Sequence, residues 1–97
     1  MIIEAPYKAT DTVTIRTTAG EEIVGRFVEE DATSIKITKP LALQASQQGI
    51  GLGPWVFTVD PASTIKLNKS AVVFVHKTEK DMASQYVQAT TGLSISG

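Results

Sequence analysis

Residues Asp11-Thr-Val-Thr-Ile-Arg-Thr-Thr-Ala-Gly20, Glu21-Glu-Ile-Val-Gly25-Arg-Phe-Val-Glu-Glu-Asp31 and Ala32-Thr-Ser-Ile-Lys-Ile-Thr38 follow one another directly. Val13 and Ile15 alternate with polar residues, as do Ile23, Gly25 and Phe27, and then Ile35 and Ile37. Period two over three consecutive segments predicts an antiparallel meander with one buried face. Gly20 suits the first turn, because it takes positive φ without steric cost. A glycine inside a strand weakens it unless the strand must bend there. Gly25 therefore predicts a sheet that curls into a small barrel.

Working outward, strands are expected at about 12–18, at 22–30, and from about residue 33 onward. Ile35, Ile37, Leu41, Leu43 and Ala45 keep one parity, and Pro40 should mark a bulge or an edge, since it has no N–H for a ladder. Ser46 to Pro54 reads as a flexible loop. Trp55, Phe57 and Val59 restore period two, and Ile65 and Leu67 continue it. Residues 33–67 thus read as one long hairpin with a projecting tip; a short helical piece over Leu41–Gln48 is the alternative. Asn68-Lys-Ser70 is a tight turn. Ala71 to His76 is a fifth strand, apolar on both faces, and such a strand is usually covered on both; a second subunit would supply the cover. Thr78 and Asp81 have capping-box spacing, and Met82, Ala83, Tyr86, Val87 and Thr90 form one helical stripe. A helix over 78–91 follows, with a loose tail at 92–97. Residues 1–11 form an arm in which Ile2, Ile3 and Tyr7 pack on the barrel or on a neighbour, and the whole chain reads as a single domain.

Composition narrows the function. Ninety-seven residues with 42% hydrophobic content suit one modest core. A net charge of −1 argues against a uniformly basic nucleic-acid binder, though not against a local basic site. Without cysteine there is no disulfide and no thiolate metal site. No apolar run approaches the roughly 20 residues of a membrane span. Met1 to Pro6 lacks the features of a signal peptide, so the cytoplasm is the expected location.

Several candidate sites compete with plainer readings. Asn68, Lys69 and Ser70 suit phosphate and base-edge contacts, or are only a polar turn. Arg16, Arg26, Lys36, Lys39 and Lys66 form a phosphate-tracking surface or a solvated face, and Glu29, Glu30 and Asp31 would repel phosphate beside them. Gly49-Ile-Gly-Leu-Gly53 lacks the GK[ST] ending of a phosphate loop; it is a mobile tip, or a contact loop with Gln47 and Gln48. His76, the sole histidine, is poor support for a metal site with Glu79 or Asp81. Trp55 and Phe57 pack in the barrel or interface, or stack bases if exposed. Neither a catalytic constellation nor a cofactor motif stands out. The chain is expected to be no enzyme, with no cofactor, no metal and no small-molecule substrate.

Gly20, the Gly25-Arg-Phe27…Asp31 spacing and Leu67-Asn-Lys-Ser-Ala-Val72-Val-Phe-Val75 resemble the two motifs of the Sm/LSm family, which includes the Hfq type. The look is similar to the divergent members attributed to marine phage, and an SH3-like or OB-type barrel is the competing fold. The resemblance implies a strongly bent five-stranded barrel whose copies form a ring of five to seven subunits. Strand four of one chain pairs with strand five of the next, which uses up exposed edges. It implies that Asp31 orients the turn after strand two, and that Thr33, Ser34, Asn68, Lys69 and Ser70 face the ligand, with Lys36, Lys66 and Arg26 nearby. The aromatic or His of the family's turn is Thr33 here, its Asn is Ile35, and Asn68-Lys69 replaces Arg-Gly. The expected ligand is single-stranded RNA, or DNA, without the family's uridine pocket. The alternative is a structural or protein-interaction ring, and a third reading is an enzyme's accessory subunit.

Overall fold

The computed structural model describes residues 7–60 and 62–91. The alternating segments form the strands they predict. β1 (Thr12–Thr17) runs antiparallel to β2 (Glu22–Glu30), with Val13 opposite Gly25 and Ile15 opposite Ile23. β2 pairs along its length with the long β3 (Ser34–Ser46). Val13, Ile15, Ile23, Phe27, Ile35 and Ile37 form the core, all from the alternating set. Tyr7 closes one end of it, edge-to-face on Phe27 with ring centres 4.8 Å apart.

β3 carries two partners end to end on its other edge. Its second half pairs with β4 (Gly49–Pro54) and its first half with β5 (Thr64–Asn68). A single 3-10 turn, Lys69–Ala71, leads to β6 (Val72–Lys77), which pairs with β1. The strand path is therefore β5–β3–β2–β1–β6, with β4 extending one flank. β5 and β6 do not pair with each other, so the sheet curls without closing.

Gly25 and Pro40 together make the bend. Between the pairs Val24–Leu41 and Arg26–Thr38, Gly25 alone faces both Lys39 and Pro40. This is a bulge, which bends the strand and raises its twist. Lys39 sits at φ 52, in the left-handed region. A Cβ on Gly25 would lie 2.9 Å from Ile37 Cδ1 and 3.3 Å from Ile37 Cβ. Gly25→Ala is expected to lower stability by about 1–2 kcal/mol, since overpacking outweighs the smaller entropic gain of losing a glycine. A urea midpoint equal to wild type would refute this account of the bend.

α1 (Lys80–Thr91) covers the outer face at the bulge. Val24 is fully buried yet lies outside the core cluster, on the parity opposite to Ile23. Tyr86, also fully buried, donates its hydroxyl proton at 2.6 Å to the Lys39 carbonyl, with the Thr38 carbonyl at 3.2 Å. Lys39 lies inside the bulge without a ladder partner, and the helix supplies a donor to its carbonyl. Burial pushes the Tyr86 hydroxyl up to about 12.

Four expectations need correction. Six strands stand among the described residues where five were expected. The Gly49–Gly53 segment is strand, not loop, Leu41–Ser46 is strand and not the helical alternative, and the tip shrinks to Gln47-Gln48. Trp55 to Val59 is irregular despite its alternation. Pro54 lies opposite Leu41 and Thr64 opposite Thr38, so the chain between them only bridges two nearby points on β3, where Pro40 offers no N–H. Finally, Glu79 caps α1, accepting from the amides of Asp81 (2.7 Å) and Met82 (3.0 Å). Thr78 is turned to the Thr14 hydroxyl at 3.0 Å. The tail 92–97, Ile2 and Ile3 lie outside the described residues. No helix among the described residues is long and apolar enough to cross a membrane.

Candidate nucleic-acid interface

Two turns meet at one end of the sheet. The first, between β2 and β3, is shaped by Asp31, whose Oδ1 accepts from the amides of Thr33 (2.8 Å) and Ser34 (2.9 Å) and from both hydroxyls at 3.3 and 3.2 Å. Those backbone bonds, aided by the hydroxyls, hold the Asp31 carboxyl down at about 2. The second turn follows β5. Asn68 Oδ1 accepts from the Ser70 amide at 2.9 Å, so Asn68 caps the 3-10 turn. The two are fastened by Lys69 N–H donating to the Thr33 carbonyl at 2.8 Å, and Ser34 faces Asn68 across the strands.

The Asp31 bonds make a pH prediction. Its carboxyl titrates near 2 in the folded chain, below its ordinary 3.8. A depressed carboxylate stabilises the fold fully above the ordinary value and loses that contribution as pH falls through the folded one. The amide resonances of Thr33 and Ser34 should therefore shift together between about pH 4 and 2. A transition centred above pH 4 would contradict the geometry.

Carboxylates hold the site's cations. Lys69 Nζ stands 2.7 Å from Glu30 Oε2, and the Tyr7 hydroxyl donates to Glu30 Oε1 at 2.5 Å. Partial burial pushes the Glu30 carboxyl up, but the bonds from Lys69 and Tyr7 outweigh this and leave it below its usual range. Burial, then Glu30's hydrogen bond and charge, push the Tyr7 hydroxyl up to about 12. Lys36 is 2.9 Å from Glu29, whose hydrogen bond and charge raise its pKa. Lys66 stands directly opposite Lys36 and has no ion pair among the described residues.

The structure thus brings together Thr33, Ser34, Asn68, Lys69 and Ser70, with Lys36 and Lys66 one step along the strands. It does not bring Arg26 to them. Arg26 pairs with Thr12 and Thr38, beside the bulge. Thr33 and Ser34 spend their hydroxyls on Asp31 and Lys69 is held by Glu30, which leaves the Asn68 amide NH2 and the Lys66 ammonium without a partner among the described residues. His76 is exposed, with Nδ1 2.8 Å from the Lys77 carbonyl, and Glu79 is occupied in capping. The sequence reading missed Glu30 and Tyr7 as partners of Lys69. No local pattern links them, because 39 residues separate Glu30 from Lys69 and only the sheet makes them neighbours.

A scan of the chain against protein-family models finds no match, and a search of curated proteins finds none either.

Proposed function

We propose that the chain is the subunit of a homo-oligomeric Sm-like ring that binds single-stranded nucleic acid, RNA before DNA, without catalysis and in the cytoplasm. One observation carries the reading: the fastened turns at 31–34 and 68–70 sit where β5 and β6 join, two strands whose outer sides have no partner among the described residues. Pairing β5 of one copy with β6 of the next uses both edges, and it repeats the Asn68-Lys69 turn around a central opening. The exposed Val73 and Phe74 of β6 suit burial in that contact.

Each subunit would give a weak contact. Lys69 exchanges Glu30 for a phosphate, which is feasible because such surface pairs are worth only ~0–1 kcal/mol. Asn68 donates its NH2 to a base edge. No aromatic stands at Thr33 to stack a base, so affinity comes from repetition through effective concentration. Light scattering should give a multiple of 10.4 kDa. Titration with oligo-U, oligo-A and single-stranded DNA at two salt concentrations should show salt-sensitive binding that Lys69→Ala weakens. Glu30→Gln should tighten it roughly 3–10-fold, by freeing Lys69 and removing a like charge from the phosphate's path. Weaker binding by Glu30→Gln would reject the role given to Lys69.

The second reading, a structural or protein-interaction ring, is favoured by the ion pairs Lys69–Glu30 and Lys36–Glu29, which neutralise the site. A ring that binds no oligonucleotide even at low salt selects it.

A further inference from the structure

A second site lies between the β1–β2 turn and the β3–β4 hairpin. It is a groove of about 530 Å³ lined by Arg16, Glu21, Glu22, Gln44, Trp55 and Phe57, among others. Three features distinguish it from bare surface. Phe57 is 82% exposed and lines the groove together with Trp55, so a large aromatic ring faces water there. The indole is oriented, because Trp55 Nε1–H donates to Glu21 Oε2 at 3.2 Å. The Gln44 amide is seated against the backbone of Gly53, where a Cβ would come within 2.5 Å of it.

The charges select the ligand. Arg16 is paired with Glu22 at 3.4 Å. Among the described residues Glu21 has no cation beside it; its side-chain partners there are the Trp55 N–H and, at 3.5 Å, the Thr17 hydroxyl, both neutral. A carboxylate offers about four acceptor positions, so Glu21 keeps capacity for another donor. An uncompensated carboxylate beside two aromatic rings repels phosphate and attracts a cation, which aromatic faces also attract. A guanidinium fits better than an ammonium: it is flat, weakly hydrated, stacks on rings and offers a fork of N–H donors.

We infer that this groove binds an arginine side chain presented by a partner polypeptide, with Glu21 taking the guanidinium and Trp55 and Phe57 flanking it. The groove shares no lining residue with the turns at 31–34 and 68–70, so the chain would hold a nucleic acid and a protein at different places.

Trp55 is the only tryptophan and reports on the groove directly. The intact protein is titrated, following Trp55 emission, with a blocked glycine-rich peptide carrying arginines and with the same peptide carrying the neutral isostere citrulline. A saturable change with arginine, at least ~5-fold weaker with citrulline, is expected from one cation–π and one carboxylate contact. Glu21→Gln keeps an acceptor for the indole and removes only the charge; Phe57→Ala alters an exposed ring. Each should weaken binding several-fold, while Lys69→Ala should leave it unchanged. Equal binding of the two peptides, an unaltered affinity in Glu21→Gln, no change of emission at millimolar peptide, or a response to oligo-dT instead would each overturn the inference.

Discussion

Replacing Tyr86 by alanine is expected to lower the stability of the fold by about 3–5 kcal/mol, the cost of emptying a fully buried aromatic site. That is a large share of the 5–15 kcal/mol typical of a domain. Two contributions add here. The ring is fully buried beneath α1, and its hydroxyl serves the Lys39 carbonyl within the bulge. Tyr86→Phe separates them. It keeps the packing and should cost about 1–2 kcal/mol, for a lost hydrogen bond and a carbonyl left dry. A twelve-residue helix is marginal alone, so in Tyr86→Ala the amides of residues 80–91 should also lose their protection from hydrogen exchange. Wild-type stability and protection in Tyr86→Ala would mean that the helix does not brace the sheet.

The other large effect concerns assembly. Val73 and Phe74 are 60% and 49% exposed on an edge strand whose outer side has no partner among the described residues. Val73→Glu with Phe74→Glu places charges where the proposed contact would bury apolar surface, while the subunit's own core keeps Val72 and Val75. Light scattering should then report the 10.4 kDa subunit in place of a multiple of it. Affinity for single-stranded oligonucleotide should fall at least ~100-fold, because multivalent binding exceeds its single contacts by 10²–10⁴. A double variant that keeps both the wild-type mass and the wild-type affinity would remove the edge-pairing argument. One that loses mass but keeps affinity would place nucleic-acid binding within a single subunit.

The candidate site was readable only in its parts. Asn68, Lys69 and Ser70 stood out as a polar turn between two apolar strands, and Asp31 as a turn former. That Lys69 carries Glu30, and Glu30 carries Tyr7, depends on three segments far apart in the chain. The groove around Trp55 was equally hidden, since Glu21 and Trp55 meet only after the β3–β4 hairpin folds beside the first turn.

Local pattern alone determined β1, β2, the start of β3, the six core side chains, the bulge at Pro40 and the final helix. In these stretches each side chain's polarity agrees with the face it occupies, and proline and glycine act on their own backbone. Tertiary structure alone decided the rest. Gly49–Pro54 became a strand because the far half of β3 offered it a row of backbone partners, which glycines take up without showing a pattern of side chains. Trp55–Val59 did not, because beside Lys39 and Pro40 there was no such row to join. Thr78 left the cap to Glu79 because Thr14 on a neighbouring strand claimed its hydroxyl. Each of these outcomes turned on which hydrogen-bond partner stood within reach, and reach is a property of the folded chain.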